Sequence, residues 1–316
     1  MNDRLPRLTC WLLLVIVAFS AAFLAKDRVH AQSSGDSQQS ATEAPAESAS
    51  TAPLGEEQAE RIVRSALEAL ETHRSISARM RFRVHVLGFS MFGNGIFTQG
   101  SVDDHLYRFE LQMRVEDPTQ KKVGDQTSIL LHVCDGKNLW IHEHLPGQEE
   151  PSVTKIDVDA TYFGLGSRRK AEGLGMFPRT PAIGGLARSL RELSAAFQFI
   201  EARATQLGDV NVWAVQGKWD EEHLAKLVPG ADVASLPEQL PSYIVIYFGR
   251  DDLFPYRFDY FRRDREGASR TPMMTLELYE VRINGPLDAK QFTYQPGNFQ
   301  DGTAAFSQKL DVSPVE

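Results

Sequence analysis

The sequence has few cysteines, and it has fewer basic than acidic residues. Cys10 and Cys134 are its only two cysteines, and Cys10 lies inside an N-terminal apolar run. If that run is removed on export, only Cys134 remains, so we expect no intrachain disulfide. The 34 lysines and arginines are outnumbered by 42 aspartates and glutamates, which gives a net charge of −8, or −10 without residues 1–31. This balance argues against nucleic acid as a partner.

Motifs for catalysis are also lacking. The chain has no nucleophile elbow, phosphate-binding loop, zinc-protease helix motif or dinucleotide glycine pattern in a supporting context. Gly164 and Gly166 are not set between a strand and a helix, so they do not form such a pattern. The sequence therefore predicts neither an enzyme nor a bound cofactor.

The N-terminal segment, residues 1–31, has the pattern of an export element. Arg4 and Arg7 precede a long apolar run over 8–25, and the small residue Ala31 follows it. The length of the run also fits an uncleaved membrane anchor, which would contact the cell membrane directly. Both alternatives place the rest of the chain in an exported, periplasm-like location, either soluble or anchored.

Composition divides the remainder into three parts. Residues 32–57 are small and polar, which predicts a disordered low-complexity linker. Residues 58–298 carry the apolar periodicity and are predicted to form one domain. The tail, 299–316, is predicted to be disordered.

The apolar period predicts two helices, a short helical insert and eleven strands. Spacings of three and four over 56–73 and 183–199 are typical of amphipathic helices, and a short charged helix and loop are predicted over 221–240. A period of two begins after Ser75 and predicts a strand that includes Met80–Val86. Ten more strands are predicted over 95–102, 106–115, 127–134, 139–144, 152–158, 199–206, 210–219, 243–250, 256–264 and 273–284.

Consecutive strands joined by short turns favour antiparallel pairing. The turn Asp-Gly-Lys-Asn at 135–138 is the clearest hairpin signal. Counting across it pairs Val133 with Trp140 and Leu131 with His142. The sequence therefore predicts an α+β, mainly β domain.

Three segments carry a family resemblance. They are Tyr107-Arg108-Phe109, the hairpin Asp135-Gly136-Lys137-Asn138-Leu139-Trp140-Ile141, and a closing run from Phe254-Pro255-Tyr256-Arg257 through Val281-Arg282-Ile283-Asn284 to Leu287-Asp288 and Phe292. In order and spacing over roughly 56–296, the chain resembles the periplasmic lipoprotein carriers of the LolA type and their relatives in outer-membrane lipoprotein sorting. The resemblance implies an unclosed antiparallel β-barrel of about 10 to 11 strands. It also implies a helical lid and an apolar interior that holds acyl chains.

Alternating apolar side chains are more numerous than a thin sheet requires. An ordinary core under two helices and a partly empty, ligand-sized interior both fit this pattern. In the second alternative these residues bind acyl chains: Phe82, Val84, Val86, Phe109, Leu111, Met113, Ile244, Ile246, Phe248, Phe258, Tyr260, Leu276 and Leu278.

Polar candidates are fewer. His142 and His144 face the same way on a strand, but no third ligand converges on them, so no metal site is predicted. The acidic pairs 103–104 and 251–252 lie at predicted turns, where aspartate is favoured. The basic cluster Arg168, Arg169 and Lys170 is either a solvated loop or a contact for a partner or a lipid head group. Cys134 is expected to be a buried small side chain.

Two functions follow from these patterns. The first is a non-enzymatic periplasmic carrier or binding protein for lipid or lipidated protein. The second is a membrane-anchored envelope interaction or sensory domain that uses the same fold without cargo. Cleavage of the N-terminal segment favours the first function and its retention favours the second.

Overall fold

A computed structural model of the chain describes residues 52–86, 89–101, 103–116, 127–145, 148–160, 185–227, 236, 240–262 and 272–310. Within these ranges, no helix combines the length and the apolar character needed to cross a membrane.

The described residues form twelve strands and four α-helices. The strands are β1 (Ile76–Val86), β2 (Phe89–Gln99), β3 (Leu106–Glu116), β4 (Thr127–Asp135), β5 (Asn138–His144), β6 (Ser152–Asp157), β7 (Phe197–Leu207), β8 (Val210–Trp219), β9 (Tyr243–Gly249), β10 (Pro255–Phe261), β11 (Pro272–Ile283) and β12 (Gln300–Asp301). The helices are α1 (Glu56–Thr72), α2 (Gly185–Ala196), α3 (Glu221–Leu227) and α4 (Thr303–Leu310), and a 3-10 turn spans Ala289–Phe292.

All twelve strands belong to one sheet, in the order β12-β6-β5-β4-β3-β2-β1-β11-β10-β9-β8-β7. Neighbouring strands are antiparallel except β12, which pairs with β6 in parallel through two residues. Among the described strands, β7 and β12 form the two edges and do not pair with each other, so the sheet is unclosed. The predicted fold class is confirmed, with the short β12 added to the eleven expected strands.

Pairing of β1 with β11 joins the start of the domain to its end. This pair divides the sheet into a meander of β1 to β6 and a second meander of β7 to β11. The hairpin predicted at 135–138 is confirmed, since Val133 pairs with Trp140 and Leu131 with His142. Asp135 Oδ1 accepts hydrogen bonds from the backbone N–H groups of Lys137 (2.9 Å) and Asn138 (2.7 Å).

The second strand differs from the prediction, which placed it over 95–102. It begins at Phe89 and continues through the Gly-Asn-Gly sequence at 93–95, which looks like a turn. Glycine is required there by close approach, because a Cβ built on Gly95 would lie 2.0 Å from the backbone oxygen of Glu110 on β3. The glycines therefore mark tight strand packing rather than a chain reversal.

The helix predicted over 183–199 ends earlier in the structure. Within the described residues it spans Gly185–Ala196, and β7 follows at once from Phe197. Phe197 and Phe199 are both buried and lie two residues apart, which is the strand period. The ring of Phe197 packs against Trp219 with centroids 4.3 Å apart. Burial of both aromatic rings on one face thus favours a strand at this position.

Both ends of the domain extend beyond the predicted boundaries. Leu54 lies in the predicted linker but pairs with Ala202, with N···O distances of 2.8 and 3.0 Å. The predicted disorder after Phe299 is not observed for residues 300–310, which form β12 and α4. The ring of Phe299 packs edge-on against Trp140 at 5.1 Å, and Thr303 Oγ1 accepts the Asp157 N–H at 2.9 Å. These contacts with β5 and β6 hold the tail against the sheet.

Candidate functional site

One row of directly paired residues defines a face of the sheet, here called the inner face. The row runs from β1 through Phe82, Leu276, Phe258, Ile246 and Val215, crossing β11, β10, β9 and β8. Residues directly opposite each other in an antiparallel pair project to the same side. The β-strand period then assigns every second residue of each strand to the inner face.

Twelve of the thirteen predicted apolar site residues lie on the inner face and are buried. None of them is more than 7% exposed. Val86 lies on β1, but its side chain is outside the described part of the structure. The structure therefore brings these residues together, as expected both for a core and for an apolar ligand site. They are Phe82, Val84, Phe109, Leu111, Met113, Ile244, Ile246, Phe248, Phe258, Tyr260, Leu276 and Leu278.

Helices α1 and α2 cover the inner face. Their buried apolar stripes belong to the same cluster as the inner-face side chains, and Val63 and Leu190 are typical members. The two helices are joined by an ion pair between Glu71 and Arg191. Helix α1 is also tied to β7, where Glu60 Oε1 accepts the Phe199 N–H at 2.8 Å. These are the two helices expected to form a lid.

A buried amide connects α2 to the inner face. Gln99 is only 3% exposed, and its Oε1 accepts the N–H of Leu186 at 3.0 Å. This N–H belongs to the first turn of α2, where backbone donors have no partner within the helix. Gly185 lies beside the amide with φ of +60°, and a Cβ on it would lie 2.0 Å from Gln99 Oε1. The Gln99 side chain of the sheet thus caps the N-terminus of α2.

Part of the inner face is filled by its own side chains. A Cβ built on Gly217 of β8 would lie 3.1 Å from both Ile244 and Phe199. The rings of Phe197 and Trp219 close the same end, and the indole N–H of Trp219 donates to the Pro241 carbonyl at 2.7 Å. The half of the sheet formed by β7 to β9 is therefore tightly packed under the helices.

The other half carries polar groups that sequence reasoning missed as site residues. Tyr107 on β3 and His132 and Ser128 on β4 are 2%, 6% and 1% exposed. Their register with Gln99, Phe109 and Met113 puts all three on the inner face. Tyr107 Oη, His132 Nδ1 and Ser128 Oγ are buried with no hydrogen-bond partner in the described structure. The sequence did carry a signal for them. Each of the three occupies a strand position whose side chain projects to the same face as the alternating apolar residues beside it.

Burial keeps two of these groups uncharged. Desolvation lowers the pKa of His132 to about 4, so the imidazole is neutral at pH 7. Desolvation also raises the pKa of Tyr107 well above 10, so the phenol keeps its proton. Their surroundings are aromatic, since the His132 ring lies 5.8 Å from Phe109 and the Tyr107 ring 5.6 Å from Phe97.

The histidine pair of β5 faces away from this region. His142 Nδ1 is 2.8 Å from the Tyr294 hydroxyl, and His144 Nε2 is 3.2 Å from the backbone oxygen of Gln148. No group of three potential metal-ligating side chains converges anywhere in the described ranges. The pair serves to contact the C-terminal segment and a neighbouring loop.

The remaining polar candidates have local structural roles. Asp252 accepts from the Phe254 N–H at 3.0 Å and from the Tyr256 hydroxyl at 2.6 Å, which places this acidic pair in a turn as predicted. Cys134 is fully buried, and burial raises its thiol pKa to about 11. The cluster Arg168, Arg169 and Lys170 lies outside the described residues.

These observations define a class of protein: an unclosed, twelve-stranded antiparallel sheet with two helices over one apolar face. No family model matches the chain, and no curated protein matches it either. The chain does match solved structures, at low identity and low TM-score. A LolA superfamily protein from Nitrosomonas europaea is 10% identical, with 75% of this chain and 97% of that chain covered and a TM-score of 0.25.

Two further structures were found in the same comparison. A Vibrio parahaemolyticus domain described as an outer membrane lipoprotein-sorting protein is 10% identical, with coverages of 74% and 97% and a TM-score of 0.30. The MucA/MucB complex from Pseudomonas aeruginosa gives 9% identity, coverages of 75% and 61%, and a TM-score of 0.34. At these identities and TM-scores the matches carry no further conclusion about this chain.

Proposed function

We propose that this chain is a non-enzymatic, exported binding protein or carrier for acyl lipid or lipidated protein, with the acyl chain held on the inner face. The observation that supports the proposal is the continuous apolar row across the open sheet, covered by two helices. An unclosed sheet gives such a face an opening that a closed and packed barrel lacks.

The apolar character of the face is sufficient to drive binding. Transfer of each methylene from water contributes about 0.8 kcal/mol, so a fatty chain supplies on the order of 10 kcal/mol before costs. Ordering the ligand and moving the helices subtract from this amount. No catalytic group is required for such a role.

Val84→Phe tests whether the inner face holds a ligand or only a core. Val84 is 6% exposed and lies between Met91 on β2 and Met274 on β11. In a packed core the added ring costs about 1–3 kcal/mol of folding free energy. In a ligand site it occupies ligand volume, so we expect an unchanged or raised thermal midpoint and weaker binding of a fluorescent acyl probe.

A matched control is Ile96→Phe, because Ile96 is 48% exposed on β2. This variant adds an aromatic ring to the opposite face and should change neither midpoint nor probe binding. Loss of stability in Val84→Phe, together with no probe binding by the unmodified chain, would refute the binding function.

A second candidate is an anchored envelope interaction or sensory domain without cargo. The apolar run over 8–25 favours it, because the run is long enough to remain in a membrane. N-terminal sequencing of the protein recovered from the cell envelope distinguishes the two. A mature chain starting near residue 32 supports a soluble carrier, and an intact N-terminus supports the anchored domain.

A further inference from the structure

Buried polar groups without partners occur together on β3 and β4. Tyr107 pairs with Cys134, and Phe109 pairs with His132, so Tyr107 and His132 occupy diagonal positions on the inner face. Diagonal residues in an antiparallel pair are about 7–8 Å apart, within reach of aromatic side chains. Each side chain is more than nine-tenths buried, and Tyr107 Oη and His132 Nδ1 have no partner among the described residues.

Such groups are uncommon in folded proteins, because a buried donor or acceptor without a partner loses its hydrogen bonds to water. The ring of Phe97 lies 5.6 Å from Tyr107 and that of Phe109 lies 5.8 Å from His132, and neither ring offers a lone pair or an N–H. The missing partners are therefore expected to come from a molecule other than the protein. The two residues lie on β3 and β4, away from the packed half around Gly217 on β8.

We propose that Tyr107 and His132 form a polar subsite that binds an uncharged hydrogen-bonding group of an acyl ligand, such as an ester or amide. This inference rests on the proposed acyl-binding function and specifies the chemistry of the ligand. The phenol donates to a carbonyl oxygen, and the neutral imidazole offers one donor and one acceptor nitrogen.

A free carboxylate does not fit this subsite. The buried residues of the described chain include no lysine or arginine, so none of them offers a carboxylate on the inner face a permanent positive charge. Burial of an unpaired charge is strongly unfavourable, whereas an ester carbonyl requires only a donor. The subsite thus selects acyl esters or amides, as found in glycerolipids and acylated proteins, over free fatty acids.

Ser128 does not belong to the subsite. It lies four residues from His132 along β4, about 13 Å away by strand rise, which is too far for contact with the same group. It nevertheless has the same character, a buried hydroxyl without a partner. Ser128→Ala is therefore a matched control that removes an equivalent oxygen elsewhere on the inner face.

The experiment compares two pyrene-labelled acyl chains of equal length, one a methyl ester and the other a free acid, on the full chain. We expect the unmodified protein to prefer the ester. Tyr107→Phe should weaken ester binding by about 3- to 10-fold, the value of one hydrogen bond, without changing binding of the acid. Ser128→Ala should leave both affinities unchanged. All variants carry the same N-terminal apolar run, so any probe binding to that run does not affect the differences between variants.

The thermal midpoint separates this role from a structural one. Tyr107→Phe removes a buried hydroxyl that has no partner, so the midpoint of the ligand-free protein should hold or rise. A lowered midpoint with unchanged ester binding would mean that a buried water already satisfies the hydroxyl, and the subsite would be rejected. Equal loss of ester and acid binding would also reject it. Failure of both probes to bind the unmodified chain would instead refute the acyl-binding function, and the subsite with it.

Discussion

Loss of the Gln99 amide should loosen the lid helix. The Gln99 Oε1 to Leu186 N hydrogen bond is 3.0 Å long and buried, and it joins residues 87 positions apart. Gln99→Leu keeps most of the side-chain volume but leaves the Leu186 N–H buried without an acceptor. An unsatisfied buried donor costs about 1–3 kcal/mol, and loss of a helix N-cap costs a similar amount. We expect the free energy of unfolding to fall by about 2 kcal/mol.

Urea and thermal denaturation measure this effect. For a domain of this size, about 2 kcal/mol corresponds to a drop of roughly 4–8 °C in thermal midpoint. The control is Gln112→Leu, because Gln112 is exposed on β3 and an exposed substitution away from contacts changes stability by about 0.5 kcal/mol or less. If Gln99→Leu and Gln112→Leu have the same midpoint, the amide does not hold the helix and the reasoning fails.

Three further predictions concern stability. Asp259→Ala should lower the free energy of unfolding by about 3 kcal/mol. Arg257 donates to this fully buried carboxylate at 2.8 Å and loses that partner in the variant. Glu280→Ala, which breaks an exposed ion pair with Arg79, should cost less than about 1 kcal/mol in the same denaturation assay, and equal losses would contradict the argument. Truncation after residue 298 should lower the thermal midpoint, since it removes β12 and α4; an unchanged midpoint would mean that the tail adds no stability. Folding stability should fall as the pH is lowered from 6.5 to about 4, because His132 is protonated over this interval in the unfolded chain but not in the folded chain. His132→Phe should remove about 3 kcal/mol of this pH dependence. An identical pH profile for that variant would show that the imidazole titrates normally.

Strand alternation was enough to predict the inner face. Phe82, Phe258 and Leu276 lie in one row of the sheet, and the sequence assigned each to an apolar strand face without knowledge of the pairing. The alternation of side chains depends only on neighbouring residues of one strand, so the sequence shows it without knowledge of the strand order. The register across 135–138 was also predictable, because a short turn fixes which residues oppose each other.

Long-range contacts explain why the sequence predictions failed for β2, for the C-terminal tail and for the buried polar residues. The Gly-Asn-Gly segment of β2 looks like a turn locally, yet Gly95 is required by the approach of the Glu110 carbonyl from β3. The tail after Phe299 lacks apolar periodicity, yet it is ordered by Trp140, which lies about 160 positions earlier in the chain. Neither partner can be inferred from neighbouring residues, because the contact depends on the strand order. The polar subsite was missed for the same reason: the lack of partners for Tyr107 and His132 becomes visible only once their surroundings are known.

Buried polar side chains on the two faces of the sheet differ in whether they have hydrogen-bond partners. On the outer face, Asp259 accepts from Arg257 and from the Thr275 hydroxyl, both at 2.8 Å, so a fully buried carboxylate is satisfied within the protein. On the inner face, Tyr107 Oη and His132 Nδ1 are equally inaccessible and remain unsatisfied among the described residues. At about 1–3 kcal/mol each, two such groups amount to a substantial part of the 5–15 kcal/mol that typically stabilises a domain. Phenylalanine and leucine would fill the same positions without this cost, so packing alone does not explain a tyrosine and a histidine there. A ligand that supplies the missing hydrogen bonds explains why a tyrosine and a histidine occupy these buried positions.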